Sequence, residues 1–277
     1  MNVVYSRADF EAARQDVPGP VGLVPTMGAL HAGHLQLMRM ARDATTTVVT
    51  TIFVNPLQFG PGEDLGRYPR TLDADLAACE AEGVDLVWVP GVDDIYPRGA
   101  ADVRIDAGPL GDELEGASRR GHFAGVLTVI AKFFHLIRPD LAFFGQKDYQ
   151  QFCLIEKMVE DLDFPISLVA VPTVRAADDL ALSSRNRYLT ETERRAARVL
   201  PKALFAGRDA AQLLGRDGVV STAAGVLKEE RSVHVEYLEL RGDGLGPAPE
   251  HGTGRLLVAA RVGTTRLIDN VEVIIPE

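Results

Sequence analysis

The chain has 277 residues and 46% hydrophobic content, enough for a packed core in one large domain or two smaller ones. Its 39 acidic against 29 basic side chains leave a formal charge of -10, which argues against a nucleic-acid partner and favours small ligands. Cys79 and Cys153 lack Cys-x-x-Cys spacing and no apolar run is long enough to span a bilayer, so we expect an untargeted, soluble, cytoplasmic chain without disulfides, zinc or membrane contact.

From Val21 onward short apolar runs alternate with helical patterns. "VGLVP" is followed by a helix from Leu35 to Arg42, "TVVTTIFV" by one from Leu72 to Glu82, and "VDLVWVP" by one from Val126 to Ile137. "LAFFG" is followed by Tyr149 to Glu160, and "ISLVAVP" closes the series. This rhythm predicts an α/β fold, a Rossmann-like doubly wound parallel sheet, with ligands beyond the carboxyl ends of its strands. After Pro172 the pattern changes. A polar loop, "TVRAADDLALSSRNRYL", leads to the capping-box spacing Thr190 to Glu193, then to helical stretches interrupted at Pro201. "HVEYLEL", "RLLVAARV" and "RLIDNVEVII" alternate like strands with one wet face. The expected division is 1–173, a Rossmann-like domain, and 174–277, a smaller α+β domain.

In "PTMGALHAGH" the glycines Gly28 and Gly33 permit a tight turn, and a helix starting near His34 would point free N–H groups at an anion. His31 and His34 add donors suited to a phosphate on which charge grows; the plain alternative is two histidines closing a turn. "TIFVNPLQFG" ends a strand with the neutral amides of Asn55 and Gln58, which suit hydroxyl or carboxylate ligands or could simply cap the strand. "ELEGASRRGHFAGV" reads as a cationic loop with Glu115, Arg119, Arg120 and His122, or as a solvated face. "FFGQKDYQQ" places Lys147 at a strand end as a candidate phosphate cation, or as a surface partner of Asp148. If that turn is extended, Gln146 faces away from whatever Lys147 faces. "LALSSRNRYL" offers hydroxyls and Arg185 before a helix, a phosphate grip or a serine-rich turn. Neither commonest glycine-rich phosphate fingerprint is present.

Together, "VPTMGALHAGH", "IFVNPLQF", "GHFAGVLTVIAKFF", "FFGQKDYQQ" and "VPTVRAADDLALSSRNRYL" closely resemble the pantoate–β-alanine ligase family, within the wider H-x-G-H nucleotidyltransferases. The resemblance runs over essentially the whole chain. It implies ATP contacts at Met27, Gly28, Ala29, Leu30, His31, Ala32, Gly33 and His34. Further ATP contacts follow at Gly145, Gln146, Lys147 and Asp148, at Val174, and at Leu182, Ser183, Ser184 and Arg185. His34, His31, Lys147 and Arg185 would be the catalytic set, with His34 in the acid role. Gln58 and Gln151 look like ligands of pantoate, and Asn55, Glu115 and Arg119 match lining positions for pantoate or β-alanine. Gln146 departs from the commonest form of its motif, which has Glu.

The resemblance implies that pantoate attacks the α-phosphate of Mg-ATP to give pantoyl adenylate and pyrophosphate, and that β-alanine's amine then expels AMP. It also implies a homodimer. No metal ligand and no base for the amine proton is assigned from the sequence. The rival readings are another H-x-G-H nucleotidyltransferase, disfavoured by the neutral Gln58 and Gln151, and a non-catalytic ATP sensor, disfavoured by the presence of both His34 and Lys147.

Overall fold

In the computed structural model, which describes residues 1–99 and 101–277, the apolar runs become strands and the periodic stretches between them helices. In chain order these are β1 (Asn2–Val4), α1 (Arg7–Gln15), β2 (Val21–Thr26), α2 (Ala32–Ala44), β3 (Thr47–Ile52) and α3 (Leu72–Ala81). There follow β4 (Leu86–Trp88), the short α4 (Val92–Ile95) and α5 (Glu115–Ser118), α6 (His122–Ile137), β5 (Leu141–Gly145), α7 (Tyr149–Asp161) and β6 (Ser167–Val171). The remainder comprises α8 (Glu191–Ala197), α9 (Val199–Leu227), β7 (Val233–Arg241), β8 (Gly252–Val262) and β9 (Thr265–Ile275). Strands β1 to β6 pair in parallel in the order β1-β4-β3-β2-β5-β6, the expected α/β architecture; β7-β8-β9 form an antiparallel sheet.

Two units are distinguished by their contacts, one of residues 1–146 and 150–172, the other of 147–149 and 173–277. In the first, side chains alternate across the sheet, so each face builds its own core. Leu23, Val49 and Trp88 pack with residues of α1, α6 and α7, while Val24, Val48 and Val87 pack with residues of α2 and α3. β3 is buried at every position, as a central strand covered on both faces must be. In the second unit α8 and α9 cover one face of the antiparallel sheet through Leu200, Leu204, Leu256 and Val258.

Several expectations need correction. The N-terminal segment, read from sequence only as charged, forms edge strand β1 and helix α1. Only Phe10 of α1 is buried, stacked on Trp88 at 4.3 Å, too sparse an apolar stripe to announce a helix. The break between α8 and α9 falls at Arg198, not at Pro201, which occupies the first turn of α9 where proline's missing N–H has no partner to lose. The real interruption of α9 is Gly215, at φ 61°. β8, expected to have one wet face, is buried from Gly254 through Ala260, with Arg255 of the second face lying over the Tyr149 ring.

Candidate active site

The reversal of strand order lies between β2 and β5, where doubly wound sheets bind ligands. The chain leaving β2 turns through Gly28 and Ala29, both left-handed at φ 76° and 52°. Asp75, 3% exposed on α3, holds this turn by accepting from Ala29 N at 2.9 Å and Leu30 N at 2.8 Å, and from Thr71 Oγ1 at 3.1 Å. A Cβ on Gly28 would lie 3.0 Å from Asp75 Oδ2, so glycine meets both the dihedral and the space. Nothing in the sequence singles out Asp75 among the other acids of its helix.

Helix α2 begins at Ala32, two residues before the expected start, because His31 is its N-cap. His31 Nδ1 accepts from Gly33 N at 3.2 Å and His34 Nδ1 accepts from His31 N at 3.3 Å, a capping box built from two imidazoles. Gly33 is thus a helical residue and no part of the turn. Its Cβ would stand 2.9 Å from the His31 ring, which fixes why a glycine separates the histidines. A ring whose Nδ1 accepts carries its neutral-state proton on Nε2, so both imidazoles are Nε2–H donors, with centroids 4.1 Å apart. Capping therefore does not consume the donor: in each ring one nitrogen serves the fold and the other carries the N–H.

Gln58 ends a 3-10 turn, Pro56–Gln58, that is held from several sides. Asn55, 1% exposed, donates to Gln58 Oε1 and Gly125 O, both at 3.1 Å, and accepts from Leu57 N at 3.2 Å and Tyr96 Oη at 2.9 Å. Burial pushes the Tyr96 phenol well above its ordinary pKa, so it remains a donor. With Oε1 taken by Asn55, Gln58 Nε2 points to Met27 Sδ, 3.0 Å away, which joins this element to the first motif. All hydrogen-bonding positions of the Asn55 amide are filled within the protein, so Asn55 aims Gln58 in preference to touching a ligand.

The backbone carbonyl of Gln58 accepts from His122 Nδ1 at 2.7 Å and from Arg119 Nη2 at 3.3 Å. Arg119 also forks onto Glu63 at 2.9 and 2.8 Å and donates through Nη1 to His122 Nε2 at 2.9 Å. His122 is therefore neutral. Burial foremost, and then the adjacent Arg119 charge, hold its pKa down to about 4. Burial alone would raise the Glu63 carboxyl, but the bonds and charge of Arg119 outweigh it and hold the group low. The stretch that reads as a cationic loop is thus a neutralised brace, tying the segment around Glu63 to Gln58. Buried Gln150 braces the same region by accepting from Glu115 N at 3.0 Å and donating to Leu110 O and Glu113 O, while Gln151 beside it is half-buried.

In the second unit Leu182 N donates to Val174 O at 3.0 Å, bringing two of the expected nucleotide contacts together. Ser183 caps a 3-10 turn, Ser184–Tyr188, by accepting from Arg185 N at 3.3 Å. Lys147 lies 3.4 Å from Asp148. Gln146–Asp148 form a 3-10 turn, not an extended one, so successive side chains diverge by roughly a third of a turn and the opposite-faces argument for Gln146 does not hold. Among the described residues no group of three or more His, Cys, Asp and Glu is placed to hold a metal ion, and no helix is long and apolar enough to cross a membrane.

The sequence profile of the family described as pantoate-beta-alanine ligase matches residues 2–272. The pantothenate synthetase of Nocardia farcinica is 57% identical over 261 residues, 94% of this chain and 81% of that one; that of Salinispora arenicola is 54% identical over 273, 98% and 97%. The crystal structure of pantothenate synthetase from Thermus thermophilus superposes with a TM-score of 0.94 at 46% identity, covering 99% of this chain and 100% of that one. A pantoate-beta-alanine ligase from Francisella tularensis, solved with a β,γ ATP ligand and β-alanine, gives 0.83 at 31%, covering 98% and 97%.

Proposed function

The chain belongs to the pantoate-beta-alanine ligase family and is an enzyme of that activity, and from that premise we propose how its own residues carry the reaction. A carboxylate does not react with an amine while hydroxide is the leaving group. A pantoate carboxylate oxygen therefore attacks the α-phosphorus of Mg-ATP, pyrophosphate leaves, and pantoyl adenylate forms. The amine of β-alanine, having lost a proton, then attacks the acyl carbon and AMP departs.

The observation that supports this reading is the imidazole capping box. It supplies two rigid Nε2–H donors at the positive end of α2, where charge on a phosphate grows during attack. Because Nδ1 of each ring is fixed by a backbone N–H, the donors need no reorganisation as the transition state is reached. His34 and His31 are accordingly catalytic in our reading. Lys147, Ser183, Ser184 and Arg185 enter it as phosphate contacts on family resemblance, and Mg²⁺ enters as part of the nucleotide substrate. Gln58, aimed by Asn55, presents an amide N–H to pantoate, with Gln151 as a second amide. Arg119 acts on the site through Gln58 O, since a direct grip on a carboxylate requires Glu63 to release it. A cytoplasmic homodimer completes the proposal.

The test is product analysis with ATP, pantoate and β-alanine, for which AMP and pyrophosphate should form in equal amounts. Pantoate alone should drive exchange of labelled pyrophosphate into ATP. Formation of ADP, or exchange that needs β-alanine, contradicts the two-step scheme.

A further inference from the structure

The cation proposed to meet the nucleotide phosphates is carried by a very short turn. Lys147 sits in the middle of the three-residue 3-10 element Gln146–Asp148, and a lysine side chain is long and flexible. Where its ammonium group goes depends on where its backbone is held. The hold comes from 123 residues further along the chain: Asn270 Nδ2 donates to Lys147 O at 2.9 Å.

Asn270, on β9 and 3% exposed, has its amide orientation fixed from the other side, where Arg255 Nη1 on β8 donates to its Oδ1 at 3.2 Å. A guanidinium can only donate and a carbonyl can only accept, so the amide cannot flip without breaking both bonds. Arg255 also lies over the ring of Tyr149, 4.2 Å from its centroid, and so touches the chain just beyond the same turn. The backbone of Asn270 is pinned as well. Its N–H donates to Asp269 Oδ1 at 2.7 Å, its carbonyl accepts from Arg175 Nη2 at 3.2 Å, and Arg175 forks onto Asp269 at 2.7 and 2.9 Å. Lys147–Tyr149 cluster with the C-terminal residues, although in the chain they follow β5.

A buried arginine and asparagine in a sheet are a poor choice for stability alone. Among the described residues Arg255 Nε has no hydrogen-bond partner, and well-packed apolar residues of similar volume serve a core at least as well. We propose that Asn270, oriented by Arg255, is a positioning residue that sets the place of the Lys147 ammonium group for the nucleotide phosphates. This rests on the reading of Lys147 as a phosphate contact.

The test is a double-mutant cycle in the full-length enzyme. Asn270→Ala should lower kcat/KM for ATP by about tenfold or more, in line with the cost of misplacing a catalytic group by an ångström, and leave the KM for pantoate within about twofold. In a Lys147→Ala background the same substitution should cost less than about twofold further, because the group it positions is gone. Arg255→Lys keeps the charge that faces Glu272 but loses the planar guanidinium whose Nη1 donates to Asn270 Oδ1. As a milder second variant, it should show the same pattern at severalfold, and it carries the test alone if Asn270→Ala does not fold. Losses that multiply in the Lys147→Ala background, or that fall equally on pantoate, overturn the inference and leave the role of Lys147 standing. A Lys147→Ala enzyme with unchanged ATP kinetics removes both.

Discussion

In the proposed mechanism His34 serves fold and chemistry through different nitrogens, and substitutions can separate them. His34→Asn places a side-chain oxygen near the position of Nδ1, so it keeps the cap on His31 N but loses the Nε2 donor. We expect its melting temperature to hold while the activation barrier rises by about 2–4 kcal/mol, the size of a lost oxyanion-type donor. His34→Ala should lose both, giving up roughly 1 kcal/mol of stability with the cap as well as the rate. A melting temperature that falls as far in His34→Asn as in His34→Ala would show that the two roles are not separable. His122 makes a second residue-scale prediction. Its ordinary pKa of 6.5 falls to about 4 in the folded protein, so between those values the unfolded chain binds more protons and stability must fall as pH falls. The full difference amounts to about 3 kcal/mol, lost between roughly pH 6.5 and 4. Glu63, also held low, adds its own loss at the acid end. His122→Asn can still donate to Gln58 O but cannot titrate, so its denaturation midpoint should decline less over that window. Identical slopes would exclude His122 as the source.

At the scale of elements, the proposed pantoate side of the site depends on how closely α6 approaches the turn Pro56–Gln58. A Cβ on Gly125 would lie 2.2 Å from Leu57 O and 2.8 Å from Gln58 N, both backbone atoms that can yield only by moving the turn. Gly125→Ala should therefore cost about 1–3 kcal/mol of stability through overpacking, and should raise the KM for pantoate while that for ATP holds. The kinetic split is the informative part, since Gly125 is a helical residue whose replacement by alanine would by propensity alone be favourable. An alanine variant with unchanged pantoate KM would mean that Gln58 is placed by Asn55 and His122 whether or not the close approach at Gly125 is kept.

For the molecule as a whole, the probes and the cores coincide. The single tryptophan, Trp88, and both cysteines lie in the first unit, Trp88 and Cys79 in the cores on opposite faces of the parallel sheet. Burial pushes the Cys79 thiol up to about 12, and both thiols are buried. A bulky thiol reagent should label neither cysteine in the native enzyme, and should label both over the same denaturant range in which Trp88 fluorescence changes. Labelling well below that range would show that the two faces of the sheet open separately.

The sequence by itself determined the parallel α/β sheet, because strands covered on both faces must be apolar throughout, and it determined the family, because five motifs in fixed order are far more specific than any one of them. It placed Thr190 and Glu193 as a cap, since capping is a local property of a few adjacent residues. It did not determine β1 and α1, whose single buried side chain, Phe10, has meaning only once Trp88 lies against it. Nor did it show that His31 and His34 cap their own helix, since their rotamers and tautomers are set by backbone N–H groups that exist only in the folded turn. Asp75, Asn55 and Asn270 are ordinary polar residues in sequence. Folding brings each to a backbone or amide group distant in the chain or across a turn, and burial then makes a satisfied hydrogen bond obligatory. Periodicity is written residue by residue, whereas the aim of a catalytic side chain depends on contacts that only the tertiary structure supplies.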